Sequence, residues 1–421
     1  MKTGKKSLWL ALLTMIALVA AACGSDAADV VDTATDAAGD AADAVEEAAD
    51  DAADAVEEAV DGDDDGAMEE DAMEDDAMAE GPGAGKTVNM GRANWSSGYV
   101  QAQILHDLME ELGYEVSSPD QLEFAPDLGY QTMASGEMDF WANSWYPGHL
   151  SWWEGDLPDG TRIGDNLTRI EGSLMPGGGL QGMLVTKSWA DANGVTTLDQ
   201  INDDEALWSQ LDTDGNGKGE FYGCPEDWTC DDIMTAQIAF AGWDNLEQTQ
   251  AGYDAMFAEF LTLAQAGEPA IIYTWTPTSY LAQAIPGETT MWLSVNNDSV
   301  LDDSNPTNQE GGESYCQRCG ESIGYQGLGP DTCLQGPDGC QVGWEAADIE
   351  ITANSAWLAD NPAAEALFNE FKPPLIDLAI AGVELNATDG AQADVEGIAA
   401  RWIEANRDLA DQWVAAGMAA G

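Results

Sequence analysis

Positive charge is scarce in this sequence. Its 421 residues include 13 Lys and Arg together against 78 Asp and Glu, and the formal net charge at pH 7 is −65. Nucleic acid is therefore excluded as a natural partner, because binding to phosphates depends on clustered Lys and Arg. The sequence also lacks an HExxH motif and a phosphate-binding loop. These absences argue against the common hydrolase and nucleotide-binding classes.

Long apolar runs are also scarce. The one prominent run, residues 8–19, follows three lysines and ends in three alanines before Cys23. A run of this length is short for a bilayer span, and the pattern predicts a secretory signal at residues 1–22. The small residues before Cys23 resemble the lipobox of bacterial lipoproteins, which predicts lipidation of Cys23. The alternative is ordinary cleavage with an unmodified cysteine. Either way we expect an exported protein, lipid-anchored at the outer face of the cell membrane or in the periplasm.

Residues 23–85 have almost no aromatic or branched side chains. Between Asp26 and Gly85 there are 24 acidic residues and no Lys or Arg. Such a segment cannot bury a core, and its charges repel one another. We therefore interpret it as an extended acidic tether. A repeat, DAADAVEEA at Asp40–Ala48 and Asp51–Ala59, leaves a coiled-coil stalk as the alternative.

The remainder, Lys86 to Gly421, has a formal charge of about −44. Self-repulsion of this size destabilises a compact state, and salt screens it. We therefore expect a halophilic acidic surface whose stability increases with salt. The length suits two domains.

Apolar spacing in this part predicts an α/β fold. Lys86–Met90 and Tyr114–Val116 read as strands on either side of a helix at Tyr99–Gly113, which is the signature of a parallel βαβ unit. The pattern returns at Gly252–Ala266, a helix followed by the apolar strand Pro269–Trp275. Further helices are predicted at residues 361–371 and 394–419. In such sheets ligands bind beyond the carboxyl ends of strands.

Tryptophan is unusually abundant, with 16 copies. Trp145, Trp228 and Trp275 lie beside turn-forming residues, at strand ends or in a short loop between cysteines. Each of them alone could anchor a loop to the core. Together they indicate a binding site, because tryptophan faces are the best receptors for a quaternary ammonium group.

Three motifs carry a resemblance to a known family. NSWYPGH (Asn143–His149), GCPEDWTC (Gly223–Cys230) and YTWTP (Tyr273–Pro277) resemble, in order and spacing, the aromatic-box motifs of the glycine betaine/proline-betaine substrate-binding proteins of ABC transporters. The likeness extends from about Lys86 to the C-terminus and is interrupted mainly between residues 297 and 343.

The resemblance implies a role for each matching residue. Trp145, Trp228 and Trp275 would surround the trimethylammonium group. His149 and the backbone N–H groups of Thr229 and Cys230 would hold the carboxylate. The family usually has glycine where Thr229 stands, but the position contributes a backbone N–H that threonine also has.

The resemblance also implies a type II periplasmic-binding-protein fold, α/β with two lobes and the ligand in the cleft between them. The expected domains are lobe 1 at residues 86–183 and 293–421, lobe 2 at 184–292, and a cysteine-containing insertion at 297–343 within lobe 1. The chain is then not an enzyme. It needs no cofactor, and it hands its ligand to the permease of an ABC importer for osmoprotection.

Six cysteines lie beyond Cys23. In an exported protein a disulfide is the default, so we expect Cys224 to pair with Cys230 and fix the Trp228 loop. Cys316, Cys319, Cys333 and Cys340 lie in the insertion. Their spacing does not fit two CxxC pairs, which favours two disulfides over zinc, and the pairing stays open.

Two further alternatives remain. Asp212, Asp214 and Asn216 alternate as at the start of an EF-hand calcium loop, but the twelfth position is Gly223, so the choice lies between a Ca²⁺ site with few ligands and a solvated acidic turn. For function, the alternatives are a protein specific for choline, carnitine or proline betaine and, more remotely, a carbohydrate-active enzyme with tryptophan platforms and paired carboxylates.

Overall fold

The structure is a computed structural model, and it describes residues 81–301, 331–334, 340–344, 346–388 and 390–421. The predicted signal peptide, Cys23, nearly all of the acidic tether, and Cys316 with Cys319 lie outside these residues. Within the described ranges, no helix combines the length and the apolar character needed to cross a bilayer.

Strands and helices alternate along the chain, as the sequence predicts. The strands are β1 (Thr87–Val88), β2 (Met90–Ala93), β3 (Glu115–Val116), β4 (Glu123–Phe124), β5 (Phe140–Tyr146), β6 (Leu167–Thr186), β7 (Gly219–Tyr222), β8 (Leu246–Thr249), β9 (Ile271–Thr276), β10 (Thr290–Leu293), β11 (Cys333–Leu334) and β12 (Ala347–Asn354). The α-helices are α1 (Tyr99–Glu111), α2 (Pro126–Ala134), α3 (Lys187–Asn193), α4 (Leu198–Asp203), α5 (Glu205–Trp208), α6 (Thr229–Ala241), α7 (Tyr253–Ala266), α8 (Ser355–Ala359), α9 (Pro362–Glu370), α10 (Leu375–Asn386), α11 (Gln392–Ala405) and α12 (Arg407–Ala420).

The first βαβ unit is confirmed. β1 and β3 pair in parallel, with Thr87 opposite Glu115, and α1 connects them. Ile104, Leu105 and Leu108 of α1 are fully buried, so the apolar spacing in the sequence does mark the inner face of the helix. Gly113, at φ 89°, follows the end of this helix.

One large sheet organises the molecule, with strand order β4-β2-β5-β12-β6-β9-β7-β8. The 20-residue strand β6 joins its two parts. β6 pairs with β12 from Leu167 to Gly179 and with β9 from Leu180 to Val185. We call β4, β2, β5 and β12 the β5 side, and β9, β7 and β8 the β9 side. The carboxyl ends of β5 and β9 carry the first and third tryptophan motifs.

The predicted final helix at residues 394–419 is wrong in one respect, because the chain forms two helices there. α11 ends at Ala405 and α12 begins at Arg407. Asn406 between them has φ −116° and ψ 30°, and its side-chain amide donates to the Trp402 carbonyl at 3.0 Å. The break lets Trp402 and Trp413 stack with their planes 10° apart, an arrangement that an apolar periodicity does not reveal.

The described part of the insertion lies along β10. Cys333 forms a disulfide with Cys340, and β11 pairs in parallel with β10. The Val295 N–H donates to the Gln341 carbonyl at 2.7 Å, which extends this contact. β10 itself pairs with the last residues of β6. The lobe boundaries drawn from the sequence remain a prediction.

Candidate ligand-binding site

A single cavity is lined by all six residues that the sequence predicts for the site. Trp145 and His149 come from the end of β5 and the turn after it, Trp275 from the end of β9, and the other three from the start of α6. The complete lining is Trp95, Pro126, Trp145, Gly148, His149, Gln181, Trp228, Thr229, Cys230, Ile233, Tyr273 and Trp275. The cavity lies where the β5 side and the β9 side face each other.

Tryptophan rings form angled walls in this cavity. The ring centroid of Trp228 lies 5.4 Å from that of Trp95 and 5.4 Å from that of Trp275, with planes at 68° and 75°. Tyr253 stacks on Trp228 at 5.7 Å and 20°. Edge-to-face packing of this kind is favourable in itself, and it fixes the direction of each ring face.

The Trp145 ring is positioned by a close approach to β6. A Cβ on Gly179 would lie 2.7 Å from this ring and 2.8 Å from the Ala347 side chain. Only glycine therefore leaves room for the indole at this point of the strand. The Trp145 indole N–H donates to Asn143 Oδ1 at 2.6 Å, and the Trp95 indole N–H donates to the same oxygen at 3.0 Å.

His149 presents a neutral imidazole. Its Nδ1 accepts from the Trp145 backbone N–H at 3.2 Å and lies 2.9 Å from the Tyr130 hydroxyl. Since the backbone group can only donate, Nδ1 is unprotonated and the ring proton is on Nε2. Burial lowers the pKa of His149 to about 3, because the charged form cannot be solvated there. The residue therefore offers one fixed N–H donor without positive charge at pH 7.

The start of α6 supplies further donors. Trp228 is the N-cap of this 13-residue helix and makes no side-chain cap bond. Thr229 and Cys230 occupy the first helical positions, where backbone N–H groups have no partner within the helix. Both residues are buried. The predicted disulfide between Cys224 and Cys230 is present, with Cα atoms 5.8 Å apart, and it ties this turn to the loop before it.

Sequence reasoning missed several lining residues. Trp95 lies just beyond the end of β2, so the rule that ligands bind at strand ends could have identified it. Tyr273 lies inside β9 and begins the YTWTP motif, although the motif assigns a role only to Trp275, and Gln181 lies inside β6, where no local signal separates it from ordinary strand residues. They lie at the cavity because the sheet brings these strands together.

The predicted calcium loop has a different set of neighbours from the one expected. Carboxylate oxygens of Asp212, Asp214 and Glu220 lie within 4.8 Å of one another. The Asn216 side-chain amide instead donates to Glu247 at 2.6 Å, and its oxygen accepts from the Lys218 N–H. The third carboxylate thus comes from Glu220, which an EF-hand comparison does not anticipate.

Comparison with known proteins places the chain in a family. Residues 86–405 match the family described as the substrate binding domain of ABC-type glycine betaine transport systems. The glycine betaine/proline betaine-binding periplasmic protein of Salmonella typhimurium is 31% identical over 343 residues, which is 81% of this chain and 93% of that protein. Its Escherichia coli K12 counterpart is 29% identical over 81% of this chain and 93% of its own length.

Solved structures show the same fold. Lactococcal OpuAC in its closed form with glycine betaine has a TM-score of 0.54 at 14% identity, covering 78% of this chain and 99% of that one. A choline-binding ABC-transporter protein in complex with choline has a TM-score of 0.55 at 14% identity, covering 79% and 96%. The α/β fold with two lobes and a ligand cleft between them is confirmed.

The relatives are periplasmic binding proteins rather than enzymes, and such proteins normally need no cofactor. The three tryptophan motifs lie within the matched residues, and the match covers the described fold from its first strand into α11. The chain therefore belongs to the substrate-binding domain family of ABC-type glycine betaine transport systems.

Proposed function

We propose that the protein captures glycine betaine in this cavity and delivers it to the permease of an ABC importer. The observation that carries the proposal is the meeting of tryptophan rings with fixed N–H donors in one cavity. The family match and the names of the relatives support the same ligand class.

The chemistry of the ligand fits the two kinds of lining. A trimethylammonium group offers no hydrogen bond, so it is recognised by size, apolar contact and attraction to ring faces. Trp145, Trp228 and Trp275 would supply these, and Trp95 adds a fourth indole. A carboxylate is recognised by N–H donors, for which we propose His149 Nε2 and the backbone N–H groups at the start of α6.

The cavity also has a suitable charge. Among the described lining residues none is Asp, Glu, Lys or Arg, and His149 is neutral. A zwitterion with no net charge matches this lining better than an isolated cation, which supports a betaine over choline. A glycoside hydrolase would need two carboxyl groups across the bound sugar, and the lining offers none.

Delivery of the ligand to a membrane permease requires that the protein be held near the membrane. We propose that Cys23 is lipidated after removal of residues 1–22 and that residues 23–85 act as a tether at the outer face of the membrane. The periplasmic relatives support export. Metabolic labelling with a palmitate analogue tests the anchor. Label should enter the protein and disappear in Cys23→Ala, and a labelled variant would contradict this part.

Calorimetry with a ligand panel tests the function. We expect glycine betaine or proline betaine to bind more tightly than choline, because choline lacks the carboxylate. Carnitine and a neutral disaccharide complete the panel. A preference for choline would move the protein to the choline class. Binding of the disaccharide without betaine would overturn the proposal.

A further inference from the structure

Three indole N–H groups make hydrogen bonds from one side of the cavity to the other. Trp228 Nε1 donates to Asn94 Oδ1 at 3.1 Å, and Trp275 Nε1 donates to Ser97 Oγ at 3.1 Å. In the opposite direction, Trp152 Nε1 donates to Thr229 Oγ1 at 2.7 Å. We call these three bonds the indole latches.

Each latch joins elements that are far apart in the sheet. Asn94 and Ser97 follow β2, and Trp152 follows β5, on the β5 side. The partners of these residues lie at the start of α6 and the end of β9, on the β9 side. Strand β6 separates the two sides in the sheet order. The latches therefore bridge the cleft directly and do not depend on the strands that connect the lobes.

The indoles of the β5 side are paired differently. Trp95 and Trp145 both donate to Asn143, which lies in β5 itself. Opening of the cleft would leave these two bonds intact. The three latches would have to break, because their partners move apart with the lobes.

Burial increases the contribution of these hydrogen bonds to the stability of the closed cleft. Thr229 and Trp275 are 5% and 3% exposed, so their polar atoms have little access to water while the cleft is closed. A buried N–H without a partner is costly, whereas a satisfied one adds a modest net stabilisation. The latches thus favour the closed arrangement over an open one, in which water must replace each partner.

We propose that Asn94, Ser97 and Thr229 are positioning residues that hold the lobes closed and set how long the ligand stays bound. This rests on the proposed function. The Thr229 side chain then has a role separate from its backbone N–H, since its hydroxyl binds the opposite lobe while the N–H faces the carboxylate subsite.

Dissociation rates test the proposal. In stopped-flow measurements with glycine betaine, Thr229→Val should raise the dissociation rate about 3- to 10-fold, the effect of losing one such bond. Thr229→Ser keeps the hydroxyl and should stay near the original rate. Ser97→Ala should act like Thr229→Val. Thr262→Val, at an exposed position where the hydroxyl bonds only within α7, is the matched control and should change nothing.

A double-mutant cycle identifies the partner. Once Thr229→Val has removed the acceptor, adding Trp152→Phe should cause little further increase in the dissociation rate. Equal dissociation rates for Thr229→Val, Thr229→Ser and the unmodified protein would overturn the proposal. Fully additive effects of the two substitutions would overturn the assigned pair.

Hydrogen exchange of the ligand-free full chain separates this inference from the proposed function. We expect the α6 N-terminal segment and residues 94–98 to exchange faster in Thr229→Val and Ser97→Ala than in Thr262→Val. Exchange that does not differ among the variants would contradict the latches even if betaine binds. If the unmodified protein binds no betaine, the proposed function fails, and the exchange pattern still decides whether latches hold the cleft closed.

Discussion

The two sides of the cavity are stabilised in different ways. On the β5 side, Trp145 and His149 take their partners from that same side: Asn143 fixes the indole, and Tyr130 and a backbone N–H fix the imidazole. On the β9 side, the indoles of Trp228 and Trp275 find their partners across the cleft. The Cys224–Cys230 disulfide and the stacking of Tyr253 on Trp228 support the β9 side locally.

This difference indicates that the two sides contribute to different steps of ligand binding. On the β5 side, Trp145 and His149 are positioned before the ligand arrives, because their polar contacts do not need closure. The β9 side is completed by closure, so its rings reach their final orientation only when the lobes meet. Substitutions at Trp145 or His149 should therefore change recognition of the free ligand, and those that remove a latch, on either side, should mainly change release.

The largest expected effect comes from removing the positive charge that the tryptophan ring faces would bind. In 3,3-dimethylbutanoate a carbon replaces the quaternary nitrogen of glycine betaine, which keeps size and carboxylate but removes the cation. At about 0.5–2 kcal/mol for each desolvated ring, we expect a loss of roughly 2–4 kcal/mol, or about 30- to 1,000-fold in affinity. Calorimetry in about 1 M salt limits repulsion of the anionic analogue by the acidic surface.

A companion series tests the ring faces of the β9 side. Trp228→Ala and Trp275→Ala should weaken betaine binding more than the corresponding Phe substitutions, because Phe keeps a weaker ring face. Equal affinity for betaine and 3,3-dimethylbutanoate would show that the tryptophans form only an apolar pocket.

The second prediction concerns the neutral histidine of the β5 side. The pKa of His149 is about 3 in the folded protein, below its ordinary value near 6.5, so the unfolded chain binds a proton that the native state does not. Stability should therefore fall as pH decreases from about 6.5 towards 3. Linkage gives a loss of roughly 2 kcal/mol by pH 5 relative to His149→Gln.

Urea unfolding of both proteins between pH 5 and 8 checks this. The difference between them removes the titration of the many surface carboxylates. Parallel pH curves would show that the imidazole is not buried as a neutral ring. In ligand binding, His149→Ala should weaken betaine more than choline, because choline has no carboxylate to hold.

The third prediction concerns the local support of the β9 side. Replacing both Cys224 and Cys230 by Ser should weaken betaine binding roughly 3- to 10-fold, since binding must then order the donor turn. Far-UV dichroism should change little. The matched control replaces Cys333 and Cys340, whose disulfide lies away from the cavity lining. Equal losses in the two double variants would refute a specific role for the first disulfide.

The smallest expected effect concerns calcium. If Asp212, Asp214 and Glu220 bind Ca²⁺, about 1 mM CaCl₂ should raise the melting temperature by a few degrees while betaine affinity stays constant. Asp212→Asn with Asp214→Asn should abolish the shift. If MgCl₂ raised the melting temperature of the double variant by the same amount, the shift would come from general charge screening. The loop would then be a solvated acidic turn and not a calcium site.

Much of the site could be predicted because its motifs are local. NSWYPGH and YTWTP each place a tryptophan at the end of a strand, and the GCPEDWTC loop carries the cap of α6. The sheet then brings these strand ends to one cavity, through the antiparallel pairing of β5 with β12, β12 with β6 and β6 with β9. The buried face of α1 and the end of α7 at Ala266 were predictable for the same reason, since periodicity and left-handed glycine caps, here Gly267, are properties of neighbouring residues.

The remaining features depend on distance in space. Asn94 lies 134 positions from Trp228, and nothing in either segment shows that an amide oxygen meets that indole. Glu220 replaces Asn216 at the acidic loop because the turn folds back on itself. The sequence by itself determined most of the elements and the principal aromatic residues, because short-range spacing encodes them, and the resemblance of its motifs to a known family indicated the ligand class. Only the tertiary structure decided which groups satisfy the buried indoles across the cleft, because that pairing depends on how the two sides of the sheet close on each other.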